Sequence, residues 1–374
     1  MRTQLFTNRV MTFMMPTMTM IMNLVSVAIV WVGAGQIDAG VIQTGDLIAF
    51  ITYSMLIIMG FLMLSMLFMF APRADVAAQR IDEVLEAEVS IVDPADAVQP
   101  TSWDEAAASE GAEIRFDHVS FRYDDNSEYV LRDVTFTAEP GKTLAIIGAT
   151  GSGKSTILKL VERFYDASDG SVRIDGVDVR DMRLEDLRSQ LGYVPQKAFL
   201  FTGTIGSNVG YGEDEADEAR ILEAIDIAQA SELVEAKEEG LDAEITQGGT
   251  NVSGGQRQRL AIARALATEA RALLFDDSFS ALDYKTDATL RKALAEHLPG
   301  KTQIIVAQRI ATVMRADKII VLDEGVVAGE GSHAELLRTC DQYREIAHSQ
   351  LSPEELATET GSALQSVLEG GDGR

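Results

Sequence analysis

The stretch that decides the fold is Gly148-Ala149-Thr150-Gly151-Ser152-Gly153-Lys154-Ser155-Thr156. Its spacing, Gly148-x-x-x-x-Gly153-Lys154-Ser155, marks a phosphate-binding loop when a strand precedes it and a helix follows. Both flanks fit. Thr143 to Ile147 reads as a buried strand, and the residues through about Tyr165 read as a helix. A chance glycine-rich turn would lack that context. The glycines let backbone N–H groups close around phosphate oxygens, and the helix N-terminus adds its dipole. Lys154 is placed to reach terminal phosphates and Ser155 to bind a magnesium ion. Gly148, Thr150, Gly151, Ser152, Gly153, Lys154, Ser155 and Thr156 are therefore the candidate nucleotide cradle.

Downstream, Leu273-Leu274-Phe275-Asp276 reads as an apolar strand ending in an acid. A carboxylate there can meet the magnesium ion through water. Alone it could be an ordinary loop acid; its place after a phosphate loop gives it a role. Asp277 follows it.

Toward the N-terminus the sequence suits a different solvent. Val10 to Ala34 and Leu47 to Ala71 carry no charge. Each run, at about 24 residues, covers a hydrocarbon core of roughly 30 Å as a helix. Gly33, Gly35, Gln36, Asp38, Gly40 and Gly45 read as a short polar turn between two membrane spans. Arg2 and Arg9 precede the first span, and Arg73 and Arg80 follow the second. The positive-inside rule then puts both ends in the cytoplasm, in a multi-pass protein of the cell membrane. A secretory signal peptide is the rival reading of the first run; its apolar core would be shorter, and it would export the nucleotide domain.

The formal charge of −26 lies entirely downstream of residue 72, because Arg2 and Arg9 balance Asp38 and Asp46 before it. Such an acidic half argues against nucleic acid as a partner, which would need clustered Lys and Arg. One cysteine, Cys340, excludes a disulfide framework, and four scattered histidines make a zinc cluster a poor expectation. The expected organisation is residues 1–72 as two spans and 73–112 as a membrane-exit helix (73–86) plus a solvated acidic linker. Residues 113–350 follow as an α/β domain with a mainly parallel sheet, and 351–374 as a disordered tail.

Asn251-Val252-Ser253-Gly254-Gly255-Gln256-Arg257-Gln258-Arg259 is the most telling stretch after the phosphate loop. Here the chain resembles the ATP-binding-cassette (ABC) family, whose signature reads Ser-Gly-Gly-Gln at a helix start. Other family elements follow in order. Tyr123 resembles the aromatic that stacks on adenine, Gln196 the Q-loop glutamine at the magnesium ion, and Ser280-Ala281-Leu282-Asp283 the D-loop. The two spans resemble the last two helices of an exporter half-transporter of the multidrug or lipid kind. The resemblance covers about residues 1–350. It implies an ABC ATPase domain with an antiparallel β subdomain and a helical subdomain, binding ATP and Mg2+. It also implies head-to-tail pairing, in which Ser253, Gly254, Gly255, Gln256 and Asp283 close on nucleotide held by a partner cassette.

Two residues depart from the family pattern. Asp277 stands where a catalytic glutamate is expected and is one methylene short, while proton transfer needs hydrogen-bond reach of about 2.6–3.2 Å. Gln308, in Val306-Ala307-Gln308-Arg309, stands where a histidine contacts the γ-phosphate; it can still donate but carries no charge. Together they resemble the degenerate site of a heterodimeric exporter, with Asp277, Gln308 and Gln196 at an impaired catalytic position. The implied partner is a second half-transporter carrying glutamate and histidine there; a slow homodimer is the plainer alternative. An exporter half has six spans, so this two-span chain reads as N-terminally truncated.

A rival reading keeps the fold and drops transport, leaving a non-translocating ATP-binding regulatory or remnant protein. A soluble ABC ATPase of DNA repair or translation is opposed by the spans and the acidity. The exported substrate is not legible. Twelve of 14 methionines fall in residues 1–72, with Met11, Met14, Met15, Met18 and Met22 on one helical face and Met55, Met59, Met63, Met66 and Met69 on another. Ordinary packing or lipid contact, an adaptable drug pathway, and Cu(I) ligation are the readings of those faces.

Overall fold

The computed structural model describes residues 2–100, 103, 111–212 and 217–351. The chain divides into two units, Met1–Val89 and Ser90–Arg374.

The first unit is a pair of long helices, α1 (Arg2–Asp38) and α2 (Thr44–Leu85). Both are long and apolar enough to cross a membrane. The expected glycine-rich turn is shorter than the sequence implied, because Gly33, Gly35, Gln36 and Asp38 continue α1 and only residues 39–43 connect the helices. Gly33 lies against Leu47 of α2: a Cβ there would fall 2.3 Å from Leu47 Cδ1, so the leucine would have to turn aside. The hydroxyls of Thr17, Thr19, Thr52 and Ser65 within the apolar helices donate to their own backbones; Thr17 reaches the Phe13 carbonyl at 2.7 Å and Ser65 that of Phe61 at 2.8 Å. The expected exit helix is the unbroken end of α2, which continues through Pro72.

The second unit opens with an antiparallel sheet. Its strands are β1 (Ile114–Phe121), β2 (Leu131–Ala138), β4 (Asp169–Ile174) and β5 (Val177–Asp178), in the order β2-β1-β4-β5. The sequence alone reads 114–116 and 119–123 as two short strands; they join as β1, interrupted at His118 with a φ of 51° and ending at Phe121. The stretch Ser171–Val179 is a hairpin turning at Asp175-Gly176, with φ of 48° and 84°.

The central sheet is mainly parallel. β3 (Thr143–Ile147) leads through the glycine-rich loop to α3 (Lys154–Val161), which ends before Tyr165 because Arg163 turns to a φ of 51°. After α4 (Leu184–Ser189) comes β6 (Leu191–Val194). A helical region follows: β7 (Gly203–Thr204) pairing with β8 (Glu244–Ile245), around α5 (Ile205–Val209), α6 (Glu218–Ile227) and α7 (Ser231–Glu235). The chain then alternates through α8 (Gly254–Ala267), β9 (Ala272–Asp276), α9 (Tyr284–His297), β10 (Thr302–Ala307), α10 (Ile310–Val313) and β11 (Lys318–Asp323). It closes with an antiparallel edge strand β12 (Val326–Gly331), α11 (His333–Thr339) and α12 (Asp341–Gln350). The sheet order is β12-β11-β3-β10-β9-β6.

Strand periodicity sorts the side chains into two cores. Ala145, Ile147, Leu273, Phe275, Ile305 and Ala307 face one core with α8 and α9. Leu144, Ile146, Ala272, Leu274, Ile304 and Val306 face the other, with α3 and the antiparallel sheet.

Part of the segment read as a solvated linker is bound to this unit. Asp93 Oδ1 accepts from the Leu184 N–H at 2.8 Å, at the start of α4, where Arg183 supplies no side-chain cap. Val98 N–H donates to the Asp181 carbonyl at 2.8 Å, and Trp103 Nε1 to Asp175 Oδ2 at 2.8 Å. Its acidic composition therefore serves backbone donors as well as water. The tail after residue 351, expected to be disordered, lies outside the described residues.

Candidate functional site

Strand register delivers the site. Val194 pairs with Phe275, Asp276 with Val306, and Ala307 with Ile147. Four adjacent parallel strands therefore end at one edge, and the residues just past them are Gln196, Asp277, Gln308 and the 148–156 loop. In an open parallel sheet that edge is where ligands bind.

The loop requires its glycines. Gly153 has a φ of 99°, in the left-handed region, and a Cβ on Gly148 would lie 2.0 Å from the Leu322 carbonyl oxygen. Inside it Lys154 is buried and donates through Nζ to the Gly148 carbonyl at 2.9 Å and the Ala149 carbonyl at 2.7 Å. Burial lowers its pKa, opposed by the charges of Asp277 and Asp276. An ammonium surrounded mainly by neutral carbonyls is suited to an incoming anion.

Ser155 Oγ donates to Asp276 Oδ1 at 2.6 Å. Burial raises the pKa of Asp276; the Ser155 hydrogen bond lowers it and the neighbouring Asp277 charge raises it further. A divalent cation relieves such a desolvated carboxylate, and a hydroxyl beside one carboxylate is a hard-oxygen pair suited to Mg2+ whose other positions are filled by phosphate and water. Among the described residues no cluster of three or more His, Cys, Asp or Glu could hold a metal alone.

Tyr123 lies past β1, its hydroxyl 3.0 Å from Thr156 Oγ1 and 3.4 Å from Lys159 Nζ. Phe121 and Tyr165 contact its ring edge-on at 4.9 and 5.1 Å, and 44% of the residue stays exposed, as a stacking platform requires. A cavity of about 320 Å3 is lined by Tyr123, Thr150, Gly151, Gly153, Lys154, Ser155, Thr156, Gln196, Asp276, Asp277 and Gln308. Val130 and Val306 complete the lining; sequence reasoning missed Val130, which adjoins β2 and carries no polar signal. Gly148 and Ser152 sit at the loop's base, within reach of Lys154 Nζ. Larger grooves, up to about 640 Å3, run along α1; the largest is lined by Met15, Pro16, Met20, Leu24 and Val27 with Thr19 and Asn23, and carries no charged side chain.

Asp277 adopts a φ of 46°. Its Oδ2 accepts from Gln308 Nε2 at 3.1 Å and from Gln196 Nε2 at 3.3 Å. The three residues singled out from sequence at the reactive end thus hold one another.

The residues 253–256 and Asp283 do not line this cavity. Ser253 caps α8: its Oγ accepts from the Gln256 N–H at 3.2 Å, and Gln256 Oε1 accepts from the Ser253 N–H at 2.9 Å. Gly254 and Gly255 follow with open space around Gly254. Asp283 caps α9 through Thr286, accepting from its N–H at 3.0 Å and its hydroxyl at 2.7 Å.

Residues 131–280 match the model of the family described as ABC transporter. An uncharacterized ABC transporter ATP-binding protein of Mycobacterium tuberculosis is 42% identical over 340 residues, which is 90% of this chain and 57% of the relative. The ATP-dependent lipid A-core flippase of Haemophilus ducreyi is 42% identical over 240 residues, 64% of this chain and 41% of that protein. A solved bacterial Atm1-family ABC exporter with ATP bound superposes with a TM-score of 0.73 at 30% identity, covering 93% of this chain and 60% of the other. The chain spans about half the length of the curated relatives it matches. With a phosphate loop, acid-tipped strand and signature helix arranged on this sheet, and exporter-type proteins among the relatives, the second unit carries the ATPase domain of the ABC transporter family.

Proposed function

We propose that the chain is the ATP-binding subunit of an ABC exporter, with a slow site of its own and a signature that completes the site of a partner. The observation that carries this reading is the engagement of Asp277. A carboxylate one methylene shorter than glutamate, shared between Gln196 and Gln308, is poorly placed to accept a proton from water. Lys154 and the loop amides hold the phosphates of ATP, Tyr123 stacks on the base, and Ser155 and Asp276 hold Mg2+. Bound Mg2+ supplies charge neutralisation at the phosphates. ATP is held here longer than it is hydrolysed.

The signature supports the partner half of the reading. Ser253, Gly254, Gly255 and Gln256 form an ordered helix N-terminus, an anion-binding feature, outside the cavity of their own chain. Asp283 lies in the same set. The partner is a second half-transporter with glutamate and histidine at the matching positions, and the assembly sits in the cell membrane with the nucleotide domain on the cytoplasmic side. Exporter-type relatives and two apolar helices support that setting. The test is isolation of the complex from native membranes and identification of its chains. Two different ABC chains are expected; copies of this chain alone would sink the heterodimer.

A further inference from the structure

Gln308 follows the last residue of β10 and precedes the short helix α10, so the sheet does not hold it. The first N–H groups of a helix have no partner within it. At α10 the preceding residue, Arg309, gives no side-chain cap. The missing acceptor comes from another helix: Gln350, the last residue of α12, accepts from the Ile310 N–H through Oε1 at 2.8 Å. Its Nε2 donates to the Gln308 carbonyl at 2.8 Å. One side-chain amide thus bridges both sides of Arg309, as a neighbouring strand would.

The clamp has a firm base. Tyr343 and Ala347 of α12 are fully buried in the same core as Ile310 and Val313, and Leu351 packs against that core. On the other side Arg291 of α9 donates to the Ala311 carbonyl at 2.6 Å while its other nitrogens bind Asp287 at 2.9 and 3.0 Å. Residues 308–311 are therefore gripped from α9 and from α12.

We propose that Gln350 is a positioning residue, which fixes the backbone of Gln308 and so aims its side chain at the terminal phosphate of the nucleotide. The proposal deepens the nucleotide-site reading and rests on it. Gln308 lies two residues past the Val306–Asp276 pair and lines the cavity with Lys154 and Asp276; in the proposed site that end receives the terminal phosphate, which a diphosphate lacks. Gln350 accordingly sets the preference for Mg-ATP over Mg-ADP without touching either.

The test uses the full chain in detergent, with equilibrium binding of Mg-ATP and Mg-ADP and amide exchange across residues 308–313. Gln350→Ala should weaken Mg-ATP about 2- to 10-fold, the range of one neutral hydrogen bond, and leave Mg-ADP unchanged. Gln308→Ala should do the same, and the double variant should lose no more than either single one. Gln350→Glu keeps the acceptor for Ile310 and sets a carboxylate against the Gln308 carbonyl; exchange at Ile310 should stay slow while the ATP preference still falls. Additive losses, equal losses for both nucleotides, or unchanged exchange at Ile310 in Gln350→Ala would overturn the proposal. Failure of the wild-type chain to bind either nucleotide would instead overturn the nucleotide-site reading, and the exchange measurement would still decide the clamp.

Discussion

Gln308 donates its side-chain amide to Asp277 at 3.1 Å, across the gap between the ends of β10 and β9. The two positions at which the sequence departs from the family pattern are therefore in contact. They form one unit, which Gln196 joins through the same carboxylate oxygen. Changes at one are felt at the other.

Asp277→Glu combined with Gln308→His should raise ATP turnover at this site. A well-placed general base contributes about 10²–10⁴-fold, and each single change should recover less than the pair. Single-turnover measurements on complexes whose partner site is inactivated would read this site alone. Equal rates for the wild type and the double variant would count against the proposal that these two residues slow the site.

Lys154→Ala should weaken Mg-ATP at least about tenfold, because it removes a charge-assisted contact to phosphate. Asp276→Asn should act mainly through the metal, so its effect should shrink when ATP is offered without Mg2+. Isothermal titration with and without chelator separates the two.

Glycine positions at the site should differ in kind. In Gly148→Ala the new methyl would lie 2.0 Å from the Leu322 carbonyl, a backbone clash that no rotamer relieves. A loss of about 1–3 kcal/mol is expected in thermal melts. Gly151→Ala meets open space and bears only the strain of its φ of 86°, about 1 kcal/mol.

Glu162, buried at the end of α3, has its pKa raised by burial to about 8, partly opposed by Arg188. The folded chain thus keeps a proton that the unfolded chain releases above its ordinary value of 4.5. Stability from this group is complete below pH 4.5 and is lost as pH rises through about 8. Glu162→Gln should therefore be stabilising above pH 8, on the order of a few kcal/mol, and near neutral around pH 4.5. A Tm series against pH would show the curves of wild type and variant converging in acid; parallel curves would exclude the assignment.

Asp175 and Arg271, both nearly buried, are joined by an ion pair that also receives Trp103. Asp175→Ala should destabilise the domain by about 3–5 kcal/mol, since it takes the carboxylate away from a buried guanidinium. Limited proteolysis should then cut more readily around residue 103.

The phosphate loop, the acid that ends β9 and the signature were legible because each is a short local pattern with one demanding chemistry. β3 was readable to the residue, bounded by Gly141 and Gly148. β12 passed unnoticed because Val326–Gly331 is an edge strand with two glycines and no alternation. The single course of β1 was hidden by a left-handed residue at His118, which no side-chain period reports. Docking of residues 92–98 and of Trp103 has no local signal, because Asp93 and Trp103 act on partners 91 and 72 positions away. Gln350 was invisible for the same reason: an amide at a helix end has no local signature.

The division of each strand between two cores has a consequence for how this site can vary. Ile147, Phe275 and Ala307 cannot shift by one residue without turning both cores inside out, so the sheet tolerates no adjustment. Asp277 and Gln308 lie one step past that constraint, where a side chain contributes to no core. The reactivity of the site can therefore be rewritten, in either direction, by a chain that keeps its architecture and its melting behaviour.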